Sequence, residues 1–165
     1  MLGIPEIEGL IPHRAGMLLV DRILELEPGA HVIARKAASY GEPWFRARDA
    51  YGTAGEQGLA WPHAVLMESF NQACAVLVMA TWKGDGTDVL DAGVPMLGTY
   101  TDLSFGAPVL PGDQVTHHVR VLRQLDETMI LTGESRVEGT AVLSAGHGLV
   151  IRRPADALER EDIPT

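Results

Sequence analysis

Two hydrophobic periods divide the chain. Between Asp113 and Arg123, Val115, His117, Val119 and Val121 alternate with Thr116, His118 and Arg120, the period of a strand with one buried face. Between Pro62 and Trp82 the alternation disappears. That run, Pro-His-Ala-Val-Leu-Met-Glu-Ser-Phe-Asn-Gln-Ala-Cys-Ala-Val-Leu-Val-Met-Ala-Thr-Trp, reads as one helix that is apolar on nearly every face yet carries Glu68 and Gln72 one turn apart. A helix of this kind has to be wrapped by other structure. A carboxylate on the wrapped stripe needs a partner or a task, because burying it alone is costly.

The remaining pattern supplies the wrapping. Residues 4 to 10 read as a short helix with Pro5 near its start. Met17 to Leu26 and His31 to Ser39 read as a hairpin closed by Pro28-Gly29. Residues 41 to 61 have no clear period and form a long loop, and Lys83 to Gly93, rich in Gly and Asp, forms an exposed turn. Strands are predicted at Met96 to Phe105, Asp113 to Arg123, Thr128 to Val137 and Thr140 to Ile151, the last two joined by the two-residue turn Glu138-Gly139. This order gives an α+β domain, an antiparallel sheet wrapped around one long central helix. Residues 1 to 155 are expected to form a single domain, with 156 to 165 a frayed tail. The open edges of the sheet predict pairing with a second copy, so at least a dimer.

Composition narrows the function. A net charge of -9 argues against nucleic acid, whose phosphates demand a basic face. The longest apolar stretch, Ala73 to Ala80, is short for a bilayer and the N-terminus lacks signal-peptide order, so no membrane partner is expected and the expected location is cytoplasmic. Cys74, the one cysteine, sits mid-helix as a packing residue. No cluster has metal-ligand spacing, because the neighbours His117 and His118 point to opposite sheet faces, and no cofactor is implied. Arg46, Arg48, Arg152 and Arg153 form the two small basic patches available to an acidic partner.

With these elements placed, the chain resembles the hotdog-fold 3-hydroxyacyl-acyl-carrier-protein dehydratases of fatty acid and polyketide synthesis. Leu10-Ile11-Pro12-His13-Arg14, Met17-Leu18-Leu19-Val20-Asp21-Arg22 and Leu26-Glu27-Pro28-Gly29 resemble the family's N-terminal motif. Glu42-Pro43-Trp44-Phe45 resembles the next landmark, Pro62, Glu68 and Gln72 keep the helix spacing, and Phe105, Pro108-Val109, Pro111-Gly112-Asp113-Gln114 and Val119-Arg120-Val121-Leu122 resemble the later strands. In that family a Gly-His-Phe-Pro segment follows the Phe of the second landmark, and its His pairs with the helix Glu across the dimer interface. Here the chain reads Phe45-Arg46-Ala47-Arg48-Asp49-Ala50-Tyr51, so Arg48 stands where the His belongs and the loop is longer. Divergent dehydratase-like proteins encoded with aryl polyene and highly reducing polyketide pathways share that departure, and this chain is similar to them.

The resemblance implies removal of water from 3-hydroxyacyl chains on an acyl carrier protein, the chain held through phosphopantetheine, by a homodimer or a heterodimer with another hotdog subunit. That chemistry needs a base for the C2 proton, an acid for the departing hydroxyl and donors for the thioester oxygen. Glu68 is the candidate acid, oriented by Gln72, and His63 in the first helical turn is the candidate base. His63 lies about 140° around the helix from Glu68, so a pair within one chain is awkward and one across a dimer is left open. Gln72, Met67, Phe70, Asp49 and Tyr51 are the candidate substrate-binding residues, and the four arginines the carrier-protein contact. His117 is expected to be a satisfied core residue, and His13, His31, His118 and His147 are set aside as catalysts. The alternatives are a half-site or non-catalytic partner subunit of a heteromeric dehydratase, an acyl-binding hotdog protein, and a thioesterase in which Glu68 activates water.

Overall fold

The computed structural model describes residues 1–46, 56–84, 94–125 and 127–153. Its elements are α1 (Ile4–Glu8), β1 (Arg22–Glu27), β2 (His31–Ala37), α2 (Pro43–Arg46), α3 (His63–Gly84), β3 (Val94–Thr101), β4 (Ser104–Phe105), β5 (Gln114–Leu125), β6 (Thr128–Val137) and β7 (Thr140–Arg153), with single 3-10 turns at Ala15–Met17 and Glu56–Leu59. All the strands pair antiparallel in one sheet of order β1-β2-β5-β6-β7-β3, and β4 adds to β7. The sheet curls around α3, which packs against β2, β3, β5 and β6.

The buried side of α3 runs from Leu66 and Phe70 through Cys74, Leu77 and Val78 to Trp82, and meets Val32, Ala34, Val115, Val119, Met129, Leu131 and Val150 from the strands. The alternation in β5 is as expected, with Val115, His117 and Val119 inward. Glu138 and Gly139 both take positive φ, 48° and 85°. That is the backbone of the tight hairpin turn whose twist matches the strands on either side. At the other end of α3, Thr81 Oγ1 accepts the Gly29 N–H at 2.8 Å and so pins the β1–β2 turn to the helix.

Two expectations are corrected. The first strand begins at Arg22 rather than Met17, because the Met17 carbonyl and both backbone groups of Leu19 are taken by side chains of α3, and the Met17 N–H by the Arg14 carbonyl, instead of by a neighbouring strand. The strand expected over 96–105 is broken at Asp102, which has φ 53°, into β3 and β4. The long loop contains α2 and the 3-10 turn Glu56–Leu59; its residues 47–55, like 85–93 and the tail from 154, lie outside the described residues.

Candidate active site

The segment between α1 and β1 folds across the middle of α3. Pro12 restricts the backbone ahead of His13, and Arg14 fixes the turn behind it. The Arg14 guanidinium donates to the carbonyls of Ile11 at 2.7 Å, His13 at 2.8 Å and Glu8 at 2.8 Å. These carbonyls sit at and beyond the C-terminal end of α1, where the helix leaves acceptors without intrahelical partners. The result is a fixed Pro-His-Arg turn. It presents the His13 imidazole to α3, where Nε2 lies 3.3 Å from Glu68 Oε1.

Gln72, buried one turn further along α3, joins both sides of this site. Its Oε1 accepts the Leu19 N–H at 2.7 Å, and its Nε2 donates to the Met17 carbonyl at 2.8 Å and to Glu68 Oε1 at 2.9 Å. The expected orienting role of Gln72 is therefore present within one chain. Glu68 itself is not enclosed: its side chain is 33% exposed and that of His13 31%. The reason is that α3 is covered by the sheet on one side only, so the stripe holding Glu68 lies at the open edge of the wrapping. Neither of two grooves of about 400 Å³ on the protomer is lined by Glu68 or His13.

Beneath Gln72 runs a closed chain of polar groups. Ser69 donates its one hydroxyl proton to the Leu19 carbonyl at 2.6 Å, so the 2.8 Å contact between Ser69 Oγ and His117 Nε2 is donated by the ring. His117 Nδ1 is then the acceptor of the Ser135 hydroxyl at 2.7 Å. Burial, with a smaller contribution from neighbouring His118, pushes the imidazole down to about 3, which agrees with this neutral tautomer. His117 is thus the satisfied core residue that its strand position predicts.

The two sequence landmarks that flank β2 meet at Lys36. The buried Lys36 ammonium lies 3.3 Å from Asp21 Oδ1 and 3.0 Å from Glu42 Oε1, and donates to the Ala37 carbonyl at 2.9 Å. Glu42 Oε2 in turn accepts the Trp61 indole N–H at 2.9 Å, and the Trp61 N–H bonds the Val109 carbonyl at 2.8 Å. This network fixes the approach to the N-terminus of α3.

The other candidates scatter. His63 is exposed and stacks on Phe105, ring centroids 4.2 Å apart and planes within 5°, so the protomer does not bring it to Glu68. Phe70 is buried between Tyr100 and His117 and belongs to the core, while Met67 is half-buried beside Glu68. The Arg152 guanidinium lies over the Trp82 ring, 4.6 Å from its centre, and its buried Nε has no partner among the described residues, so Arg152 packs against the domain instead of standing free. Arg48, Asp49 and Tyr51 lie outside the described residues, as do the side chains of Arg46 and Arg153. Among the described residues no three His, Cys, Asp or Glu side chains are grouped to hold a metal.

Sequence reasoning set aside the residue that the fold brings to Glu68. The signal was the Pro-His-Arg turn itself, a rigid dipeptide followed by an arginine with carbonyls to bind. Close by, the Tyr100 hydroxyl donates to Asn71 Oδ1 at 2.9 Å, and burial, with smaller contributions from neighbouring Cys74 and Glu68, raises the phenol well above its usual range. Burial likewise pushes the Cys74 thiol up to about 12, as suits a packing residue.

Residues 11–146 match the family model of the FabA-like domain. The chain belongs to the FabA-like family. Among FabA-like relatives, the 3-hydroxyacyl-acyl-carrier-protein dehydratase FabZ of Colwellia psychrerythraea is 34% identical over 149 residues, 90% of this chain and 92% of that one. The FabZ of Anaeromyxobacter sp. strain K is 33% identical over 145 residues, 88% of this chain and 87% of that one. The FabA-like chain also superposes on a chain of the dehydratase heterocomplex ApeI:P of Xenorhabdus doucetiae with a TM-score of 0.73 at 17% identity, covering 93% and 94% of the two chains. The E. coli PaaI protein shares the same hotdog fold with a TM-score of 0.59 at 16% identity, over 82% and 80% of the chains.

Proposed function

We propose that this protein is a lyase that removes water from 3-hydroxyacyl chains carried by acyl carrier protein. The observation that carries the reading is Glu68, a partly exposed carboxyl on a largely buried helix, held at 2.9 Å by a buried amide, in a chain related end to end to proteins named for that reaction. Glu68 Oε1 accepts from Gln72, and among the described residues Oε2 has no partner, so Oε2 is the oxygen that delivers a proton to the departing C3 hydroxyl. The first helical hydrogen bonds of α3 are those of Val65 and Leu66 to the Pro62 carbonyl. The N–H groups of His63 and Ala64 precede them and stand at the positive end of the helix, suited to the thioester oxygen as charge builds there.

Because α3 is covered on one face, the substrate channel of this reading is completed by a second hotdog subunit, a homodimer or a heterodimer, in the cytoplasm. Basic side chains at Arg46, Arg48 and Arg153 are the proposed contact for the acidic carrier protein, and Asp49 and Tyr51 of the altered loop are proposed as substrate-binding residues. Arg48 in place of the family's His favours a second reading, in which this subunit lends Glu68 to a His-bearing partner.

The test is incubation of the purified chain with a 3-hydroxyacyl carrier-protein thioester, alone and with a His-bearing hotdog dehydratase, following loss of one water by mass spectrometry. Dehydration that falls at least about a hundredfold in Glu68→Gln supports the first reading. Activity only in the mixture, still dependent on Glu68, supports the second. Release of free acid instead makes the protein a thioesterase.

A further inference from the structure

We infer that Asn71 determines which acyl chains this site takes: its outward amide N–H groups bind a carbonyl or hydroxyl oxygen at C7, so that partly oxygenated chains are preferred to plain hydrocarbon ones. The inference rests on the dehydratase reading and deepens it, and it makes Tyr100 the positioning residue that fixes the amide.

Between Val65 and Trp82 the side chains left incompletely buried are Val65, Met67, Glu68, Asn71 and Ala75. Glu68, Asn71 and Ala75 follow one another at helical spacing, so one open stripe carries the reacting carboxyl and then an amide. Such an amide can point two ways, and the fold selects one. The Tyr100 hydroxyl donates to Asn71 Oδ1 at 2.9 Å and lies 3.9 Å from Cys74 Sγ. Both of these groups keep their protons at neutral pH, since burial raises the phenol well above its usual range and pushes the thiol up to about 12. With the phenol proton on Oδ1, the thiol is the donor to the phenol oxygen, and Asn71 Nδ2 is left with both its N–H groups. Among the described residues Nδ2 has no hydrogen-bond partner, and unlike the indole nitrogens of Trp44 and Trp82 it is not enclosed. The ring that holds the amide is itself fixed. It is tilted against Phe70 with centroids 6.2 Å apart and seated on Gly148, where an added Cβ would lie 2.5 Å from Tyr100 Cε1.

The place of the amide names the carbon it reads. In the dehydratase reading the thioester oxygen lies at the N-terminus of α3 and the C3 hydroxyl at Glu68, so the rest of the acyl chain runs toward the C-terminal end of the helix. Asn71 stands about 4.5 Å further along the axis, with Cβ atoms about 5–6 Å apart, the advance of about four bonds of an extended carbon chain. The carbon four bonds beyond C3 is C7. It is one of the odd carbons, which carry oxygen in chains extended two carbons at a time and incompletely reduced. Once a second subunit closes the channel, a methylene at C7 leaves the amide N–H groups without an acceptor, whereas an oxygen there accepts one, a difference of about tenfold in kcat/KM. Past Asn71 the stripe continues as Ala75, which leaves room for the end of the chain.

The experiment measures kcat/KM for two carrier-protein thioesters, 3-hydroxydecanoyl and 3-hydroxy-7-oxodecanoyl, with the wild-type chain, Asn71→Asp, Asn71→Leu and Tyr100→Phe, alone and mixed with a His-bearing hotdog dehydratase that carries its own Glu→Gln change. The readout is the ratio of the two values. Asn71→Asp keeps the acceptor for the Tyr100 hydroxyl and removes the N–H groups, so a merely structural amide tolerates it and a recognising one does not. The expected result is a preference of about tenfold for the 7-oxo chain in wild type, falling to about threefold or less in Asn71→Asp and Asn71→Leu and to an intermediate value in Tyr100→Phe, whose freed amide samples both orientations. Either Asn71 variant decides should the other not fold. No preference in wild type, or a preference that survives the loss of the amide, overturns the inference and leaves the dehydratase reading standing. Tyr100→Phe with the full wild-type preference overturns the positioning role of Tyr100. If neither thioester loses water in either setting, the dehydratase reading falls, and equilibrium binding of both thioesters to the same chains decides the inference by itself: affinity about tenfold tighter for the 7-oxo chain and dependent on Asn71 supports the recognition, and equal affinities overturn it.

Discussion

Gln72 and Leu19, 53 residues apart, are joined by a buried 2.7 Å hydrogen bond from the Leu19 N–H to the Gln72 amide oxygen. The same amide binds the Met17 carbonyl and Glu68, so one side chain secures the segment that carries His13 and also orients the carboxyl. Replacing it with Met keeps the volume and removes all three bonds. Two backbone groups then lose their partners, and Gln72→Met is expected to destabilise the fold by about 3 kcal/mol. Its kcat is expected to fall more than tenfold, because Glu68 loses its donor. Urea unfolding and steady-state kinetics check the two effects, and a variant as stable as wild type would remove the tie between Gln72 and the 17–19 segment.

His117 makes stability depend on pH. Its imidazole is held near 3 in the folded chain and titrates near 6.5 when exposed. A depressed imidazole is protonated first in the unfolded state, so stability is full above pH 6.5 and declines as pH falls from there toward 3. Between pH 7 and pH 5 the loss is about 2 kcal/mol from this group alone. Denaturant midpoints of wild type and His117→Gln at the two pH values measure it: the gap between them is expected to narrow by that amount at pH 5. Parallel pH profiles would show that His117 takes up a proton in the folded state.

Lys36 holds two carboxylates, Asp21 at 3.3 Å and Glu42 at 3.0 Å, in a place where water reaches little of the ammonium. Lys36→Met leaves Glu42 largely buried with only the Trp61 indole and the weak Ser39 N–H contact to balance it. A loss of about 3 kcal/mol is expected, with part of it recovered in Lys36→Met/Glu42→Gln, since an unpaired buried charge costs more than an absent pair. Additive effects of the two changes in thermal unfolding would argue that the pair is solvated.

Most of the architecture was legible in the periods. The apolar run at 62–82 is α3, the alternation in 113–123 is β5, and Glu138-Gly139 turns the β6–β7 hairpin, because each follows from spacing and local turn chemistry. The start of β1 was not. Met17 to Val20 has the composition of a strand, but the Met17 carbonyl and both backbone groups of Leu19 are claimed by Gln72 and Ser69 from a helix fifty residues away, and no local pattern records that competition. The site divided the same way. Glu68 with Gln72 was visible as a polar pair one helical turn apart on an apolar helix, and the histidine beside it was not.

The sequence alone determined that one apolar helix is wrapped by an antiparallel sheet and that its polar stripe holds Glu68 and Gln72, since these depend on residues a turn or a strand apart. Only the tertiary structure decided which groups face that stripe. His13 reaches Glu68 because Arg14 ties its turn to α1 while Gln72 ties the residues just after it to α3, and His63 does not because its ring stacks on Phe105. Each of these contacts closes a loop of tens of residues, and the geometry of such closures is set by how the packed elements meet rather than by the spacing within any one of them.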